Sequence, residues 1–192
     1  GKKALIKSVE NAEDSLEDGM KIIVKKNISN KDVIIGISAS GTALYVRGAL
    51  MKAKTLGAHT GLICCNNIKK ENYIDYLFSI IVGPEIITGS TRMKAGTATK
   101  MLLNMISTTA MIKMNKVYDN LMIDLKMSNK KLNNRAEKII SEITGKDIIS
   151  SRKYLSLANG NLKIAIIMLC KNINFLDAEL LLKQHNNNLK DI

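Results

Sequence analysis

The sequence predicts an α/β fold, an open parallel sheet with connecting helices, followed by a small all-α part. Three observations carry that expectation. Short apolar runs rich in β-branched residues, Asp32–Ile37, His59–Cys65 and Leu77–Val82, alternate with helical patterns. Two of these runs pass into loops of small and hydroxyl residues that open helices, Ser38-Ala39-Ser40-Gly41-Thr42 and Gly83–Lys100. Beyond Gly145 only helical segments remain.

In chain order, Leu5, Ile6, Val9, Ala12 and Leu16 recur at helical spacing, so residues 3–18 are expected to form a helix that Gly19 ends. Its acidic residues Glu10, Glu13 and Glu17 share a face, which is also how an ordinary solvated stripe looks. A short apolar segment, Met20–Val24, follows. The run Asp32–Ile37 fits a strand buried on both faces of a parallel sheet. The helix after Thr42 carries Leu44, Val46, Ala49, Leu50 and Ala53 and ends near Gly57. Lys69–Tyr76 reads as a short helix or loop between the second and third strands. Met93–Met114 is apolar nearly all round and is expected to be a buried helix. Val117–Met122 is a moderately polar link, and Asp124–Ile140 reads as an amphipathic helix. Residues 1–144 are expected to form one domain and 145–192 a small three-helix domain over 146–157, 162–171 and 175–185. Asn174 caps the last helix with Asp177 three residues on, and the tail Asn186-Asn187-Asn188 is expected to fray.

Composition bounds the function. With 46% hydrophobic residues but only 4% aromatics and no Trp, the core falls to Ile, Leu, Val and Met. Cys64, Cys65 and Cys170 form no disulfide framework and, with only His59 and His185, no metal-ligand spacing. The net charge of +12 permits nucleic acid or anionic metabolites as partners. The lysines are scattered and few aromatics could stack bases, so a solvated basic surface is expected and nucleic acid is not. No stretch approaches the roughly 20 apolar residues of a membrane span, and Gly1-Lys2-Lys3-Ala4-Leu5 has no apolar signal core. A cytoplasmic protein without membrane partners is expected.

Both hydroxyl loops follow strand carboxyl ends, where open α/β sheets bind ligands. Gly83–Lys100 holds the only proline, Ser90 and Thr91 side by side, and the cations Arg92 and Lys94, a set suited to an anion at a helix N-terminus. A plain strand–helix connection whose hydroxyls cap the helix is the other reading. No Walker loop, dinucleotide fingerprint or nucleophile elbow is present. The residues alone point to a phosphorylated small molecule and go no further.

The run Gly83-Pro84-Glu85 with Thr88-Gly89-Ser90-Thr91-Arg92-Met93-Lys94-Ala95-Gly96-Thr97-Ala98 strongly resembles the signature of the N-acetylmuramic acid 6-phosphate etherases. So do Leu103–Thr108, Lys116-Val117-Tyr118, Asn120–Asp124, Val9–Asp14 and Ile35–Gly41. The resemblance runs from about Ala4 to the end. It implies a sugar isomerase (SIS) domain, a parallel sheet between helical layers, with the family's helical C-terminal domain after it. The implied reaction is a carbon–oxygen lyase step without metal or other cofactor. It removes D-lactate from N-acetylmuramic acid 6-phosphate and leaves N-acetylglucosamine 6-phosphate, in cell-wall sugar recycling. Of the family's two acid/base glutamates, one carries over to Glu13. Ser38, Ser40, Gly41, Thr42, Ser90 and Thr91 carry over as sugar-phosphate contacts, with Arg92 and Lys94 beside them. A homodimer is implied as well. Glucokinase regulatory proteins share much of the pattern, so a non-catalytic sugar-phosphate sensor is the alternative.

Two departures accompany the resemblance. The family loop continues Arg-Thr-Pro after Ser-Gly, where this sequence has Thr42-Ala43-Leu44. The family's first strand, its Gly-rich loop and its first catalytic glutamate would precede Gly1. The sequence is therefore expected to be the C-terminal part of an etherase, inactive by itself.

Overall fold

The structure, a computed structural model, describes residues 2–192; Gly1, at the head of the expected first domain, lies outside them. The chain divides into two compact units, Gly1–Asn104 and Met105–Ile192.

The first unit is α/β. Strands β1 (Val33–Ile37), β2 (His59–Cys64) and β3 (Tyr76–Ser79) form a parallel sheet in that order, with Ile35 opposite Gly61 and Ile63 opposite Phe78. This is the α/β class with a parallel sheet that the sequence predicts. The central strand β2 is buried at every position after His59. Helices α1 (Leu16–Lys25) and α2 (Leu44–Thr55) pack on each other, and α2 packs on β1 and β2. Leu50, Leu62 and Ile74 form one core there, and Ile23, Ala53 and Ala58 another.

Three expectations for this unit are corrected. The first is the N-terminal helix. Residues Lys2–Leu5 form a 3-10 turn, Asn11 takes a left-handed φ of 60°, and α1 starts only at Leu16, where Ser15 Oγ accepts the Asp18 N–H at 3.1 Å. Glu10 and Glu13 therefore lie in turns, while Glu17 and Asp18 pair with Lys21 within the helix. Gly19 sits inside α1 rather than ending it. A Cβ on Gly19 would stand 2.0 Å from the Tyr45 carbonyl oxygen, and one on Gly48 would stand 2.1 Å from that of Leu16. The glycines let the two helix backbones touch, so their missing side chains serve packing and not termination.

The second correction concerns β1. Val33, Ile35 and Ile37 are 61%, 36% and 46% exposed, not buried on both faces. As an edge strand β1 covers only its helix-facing positions, Ile34 and Gly36, the latter 2.5 Å by its would-be Cβ from Val46 Cγ1. The third is α3 (Lys94–Lys113), of which only Ala95 is buried, with Met101 and Met105 each 56% exposed. Its apolar positions are spread around the helix, and half of them are exposed. Residues 66–75 form loop and turns without a helix, and β3 stops at Ser79, earlier than its apolar run.

The second unit is helical apart from a two-stranded antiparallel hairpin, β4 (Val117–Tyr118) and β5 (Leu121–Met122), in the expected polar link. Helix α4 (Lys130–Thr144) begins later than expected because Asn129 caps it, accepting the Leu132 N–H at 2.9 Å, and it ends at Gly145 with φ 67°. Then come α5 (Ile148–Leu157), α6 (Leu162–Lys171) and α7 (Phe175–Gln184), close to the expected bounds. The seven residues Leu162–Met168 are all buried, which makes α6 the central helix around which α4, α5 and α7 pack. Asn174 caps α7 as expected, accepting the Asp177 N–H at 3.0 Å. The tail does not fray. Asn186 and Asn187 take left-handed turns that return Leu189 to the core at 7% exposure. Among the described residues no helix is long and apolar enough to cross a membrane.

Candidate functional site

The site is built at the carboxyl ends of the parallel strands. β1 ends at Ile37, and Ser38 continues the pairing by donating its N–H to the Ile63 carbonyl at 3.0 Å. The next residues wind into a tight hydroxyl loop. Ser38 Oγ, buried, accepts the Gly41 N–H at 3.1 Å and lies 3.3 Å from Ser40 Oγ. Ser40 Oγ accepts the Thr42 N–H at 3.2 Å and lies 2.8 Å from Thr42 Oγ1. Gly41 takes φ 77°, and a Cβ there would meet Ile68 Cδ1 at 2.8 Å, so both backbone and space call for glycine. Ser38, Ser40, Gly41 and Thr42 are thus brought together, with the hydroxyls of Ser40 and Thr42 exposed.

Helix α2 opens out of this loop with Ala43 as its N-cap and no side-chain capping bond. The Tyr45 N–H, one of the amides a helix start leaves without an intrahelical acceptor, donates to the Glu13 carbonyl at 2.9 Å. That bond fixes the Glu13 backbone beside Tyr45, itself three residues on from Thr42, with the Glu13 side chain exposed.

The second loop has a different construction from the one expected. Both oxygens of Glu85 accept backbone N–H groups at the start of α3, from Lys94 and Ala95, each at 3.1 Å. Those bonds, Ala95's first, hold the Glu85 carboxyl below its usual range. The anion at this helix N-terminus is the chain's own carboxylate. Lys94 Nζ donates to the Pro84 carbonyl at 2.8 Å, closing the base of the loop a second time. Ser90 is half-buried, while Thr91 and Arg92 are exposed on the turn above that base. Among the described residues no hydrogen bond joins Ser90 or Thr91 to Ser38–Thr42. The link between the two loops is Cys65, whose N–H donates to the Ala39 carbonyl at 2.9 Å and whose Sγ lies 3.8 Å from Ala95 O and Thr99 Oγ1.

Three residues thus join the site that sequence reasoning missed: Glu85, Cys65 and Arg47, whose Nε donates to the Gly41 carbonyl at 3.3 Å. Arg47 had a signal, since it lies in the first turn of the helix that the loop opens. Glu85 and Cys65 act across nine and more residues, which local pattern does not report. Among the described residues no three His, Cys, Asp or Glu side chains gather where an ion could be held.

The arrangement offers hydroxyls and a guanidinium toward an anion, with one carboxylate free for acid/base work. No family model matches the chain. Curated relatives do match along nearly all of it. It is 47% identical over 190 residues to the N-acetylmuramic acid 6-phosphate etherase of Pseudothermotoga lettingae, covering 97% of this chain and 63% of the relative. It is 44% identical over 191 residues to that of Francisella tularensis subsp. holarctica, covering 99% and 65%. It is 48% identical over 191 residues to N-acetylmuramic acid 6-phosphate etherase 1 of Bacillus licheniformis, covering 99% and 63%. The chain spans a little under two thirds of the length of these relatives.

Proposed function

Over nearly its whole length the chain belongs to the N-acetylmuramic acid 6-phosphate etherase family, and on that premise we propose that it carries the sugar-phosphate site of such an etherase. The sugar 6-phosphate lies at the Ser38–Thr42 loop, with Ser90, Thr91 and Arg92 as further contacts, and Glu13 works on the sugar as acid/base. Lys94, bound to Pro84 O, shapes its loop and adds charge near it. The observation that carries this reading is the Tyr45–Glu13 backbone bond, which ties a carboxylate-bearing turn to the helix opened by the hydroxyl loop.

In the proposed reaction the sugar ring opens and a carboxylate takes the proton at C2, next to the aldehyde. The C3–O bond to the lactyl group breaks, and the departing oxygen takes a proton from a carboxylic acid. Water then adds across the C2–C3 double bond, hydroxyl at C3 and hydrogen at C2. The overall change is hydrolysis of an ether, with no net oxidation. The proposal uses two carboxyl groups, one to take the proton at C2 and one to give a proton to the departing oxygen. Glu13 is one, and the second is proposed to come from outside these 192 residues, because Glu85 is committed to the start of α3. Cytoplasmic sugar recycling and a homodimer complete the reading. The exposed Met101 and Met105 of α3 support a dimer, which the molar mass from light scattering checks.

A second reading, a non-catalytic sugar-phosphate binder, is favoured by the same commitment of Glu85, which takes that carboxylate out of acid/base work. D-lactate release from N-acetylmuramic acid 6-phosphate separates the two, assayed with any upstream sequence present. The etherase reading expects release that falls by about 10²-fold or more in Glu13→Gln with binding retained. Binding with no release in the unaltered protein supports the sensor. Lactate release by the 192 residues alone at full rate would overturn the requirement for a second carboxylate.

A further inference from the structure

Arg47 is a half-buried cation that, among the described residues, makes no ion pair. Arg152 shows the paired alternative, a two-pronged bond from its guanidinium to the buried Glu137 at 2.8 and 2.9 Å. A guanidinium drawn partly out of water without a carboxylate is the less stable arrangement of the two, unless an anion arrives from solution. Arg47 is also held in place. Its Nε donates to Gly41 O at 3.3 Å, which ties the guanidinium to the backbone of the hydroxyl loop and leaves its Nη donors for another acceptor. Its charge is felt at Tyr73, where burial raises the phenol and Arg47 acts against that rise. The loop itself, from Ser38 to Ala43, contains hydroxyls and N–H groups but no cation. Lys94, in the second loop, is bound to Pro84 O.

We propose that Arg47 is the cation that receives the phosphoryl group at the Ser38–Thr42 loop, completing a phosphomonoester site made of Ser40, Thr42 and the guanidinium. The inference rests on the sugar-phosphate reading above and deepens it by naming the charged contact. A planar fork fixed at one nitrogen can still give two parallel bonds to phosphoryl oxygens, whereas a lysine in its place would give a point charge.

The test uses the 192-residue chain with N-acetylglucosamine 6-phosphate and, as the uncharged control, N-acetylglucosamine. Calorimetric titration of Arg47→Gln is expected to show affinity for the phosphorylated sugar reduced about tenfold or more, with Arg47→Lys recovering part of the loss. The dependence of affinity on salt is expected to flatten in Arg47→Gln, a change that a purely structural role would not produce. In the unaltered protein, phenylglyoxal labelling of Arg47, read by peptide mass, is expected to slow with the phosphorylated sugar and not with the control. This arm stands even if a variant fails to fold. Binding by the unaltered chain with equal affinity in Arg47→Gln, or with unprotected Arg47, overturns this inference and leaves the sugar-phosphate reading intact. No binding by the unaltered chain overturns both.

Discussion

The Tyr45 N–H donates to the Glu13 carbonyl oxygen at 2.9 Å, so the start of α2 holds the turn that carries the proposed acid/base. The bond depends on how closely α1 and α2 approach, which Gly19 and Gly48 set between them.

Gly48→Ala tests that dependence. A Cβ at 2.1 Å from Leu16 O cannot be accommodated without parting the helices, since the obstacle is backbone. A loss of about 1–3 kcal/mol is expected in urea unfolding, accompanied by weaker sugar-phosphate binding. An unchanged midpoint would contradict the tight crossing.

Glu85→Gln tests the clamp at α3. The carboxyl is held below its usual range, so its contribution is present above the unfolded value, roughly 4.3, and is lost as pH falls through the folded value. Faster amide exchange at Lys94 and Ala95 is expected in the variant at neutral pH. The unaltered protein should show the same change only at acid pH.

Asp75 gives a lower window. The Lys54 ammonium first, then the Thr60 N–H at 2.9 Å, hold its carboxyl at about 2. Its stabilising effect is therefore present above roughly 3.9 and lost progressively down to about 2. Asp75→Asn should flatten the acid limb of the stability–pH curve in that window, as followed by circular dichroism.

Lys163→Met tests the second unit. Lys163 Nζ donates to Asn115 O at 2.6 Å and to Asn187 O at 2.9 Å, joining the approach to β4 with the turn that returns the tail. Methionine leaves both carbonyls without that donor, and a loss of about 1–3 kcal/mol is expected. Burial lowers the lysine's own pKa, so the unfolded chain binds its proton more readily. In the unaltered protein stability should therefore rise with pH between the folded and unfolded values, and in the variant that rise should be gone.

What was legible in the sequence followed from local chemistry. The strand, hydroxyl loop and helix at 33–55 announced themselves by β-branched residues running into Ser38–Thr42, and Asn174 with Asp177 marked the start of α7. What was not legible depended on partners distant in the chain. Gly19 reads as a helix stop until the Tyr45 carbonyl is seen against it. Gly83–Lys100 reads as an anion loop, and the structure supplies the anion from Glu85 itself. The apolar runs of β1 and α3 signalled burial, yet Val33, Ile35 and Met101 are exposed, because hydropathy reports a preference and not the neighbour that satisfies it.

The most direct measurement is a titration of the isotope-labelled chain with N-acetylglucosamine 6-phosphate, followed by assigned amide resonances. The account predicts saturable shifts centred on Ser38–Ala43, Glu13 and Tyr45, with weaker ones at Ser90–Arg92, and none of these with N-acetylglucosamine. Shifts confined to residues 105–192, or equal responses to the two sugars, would contradict it.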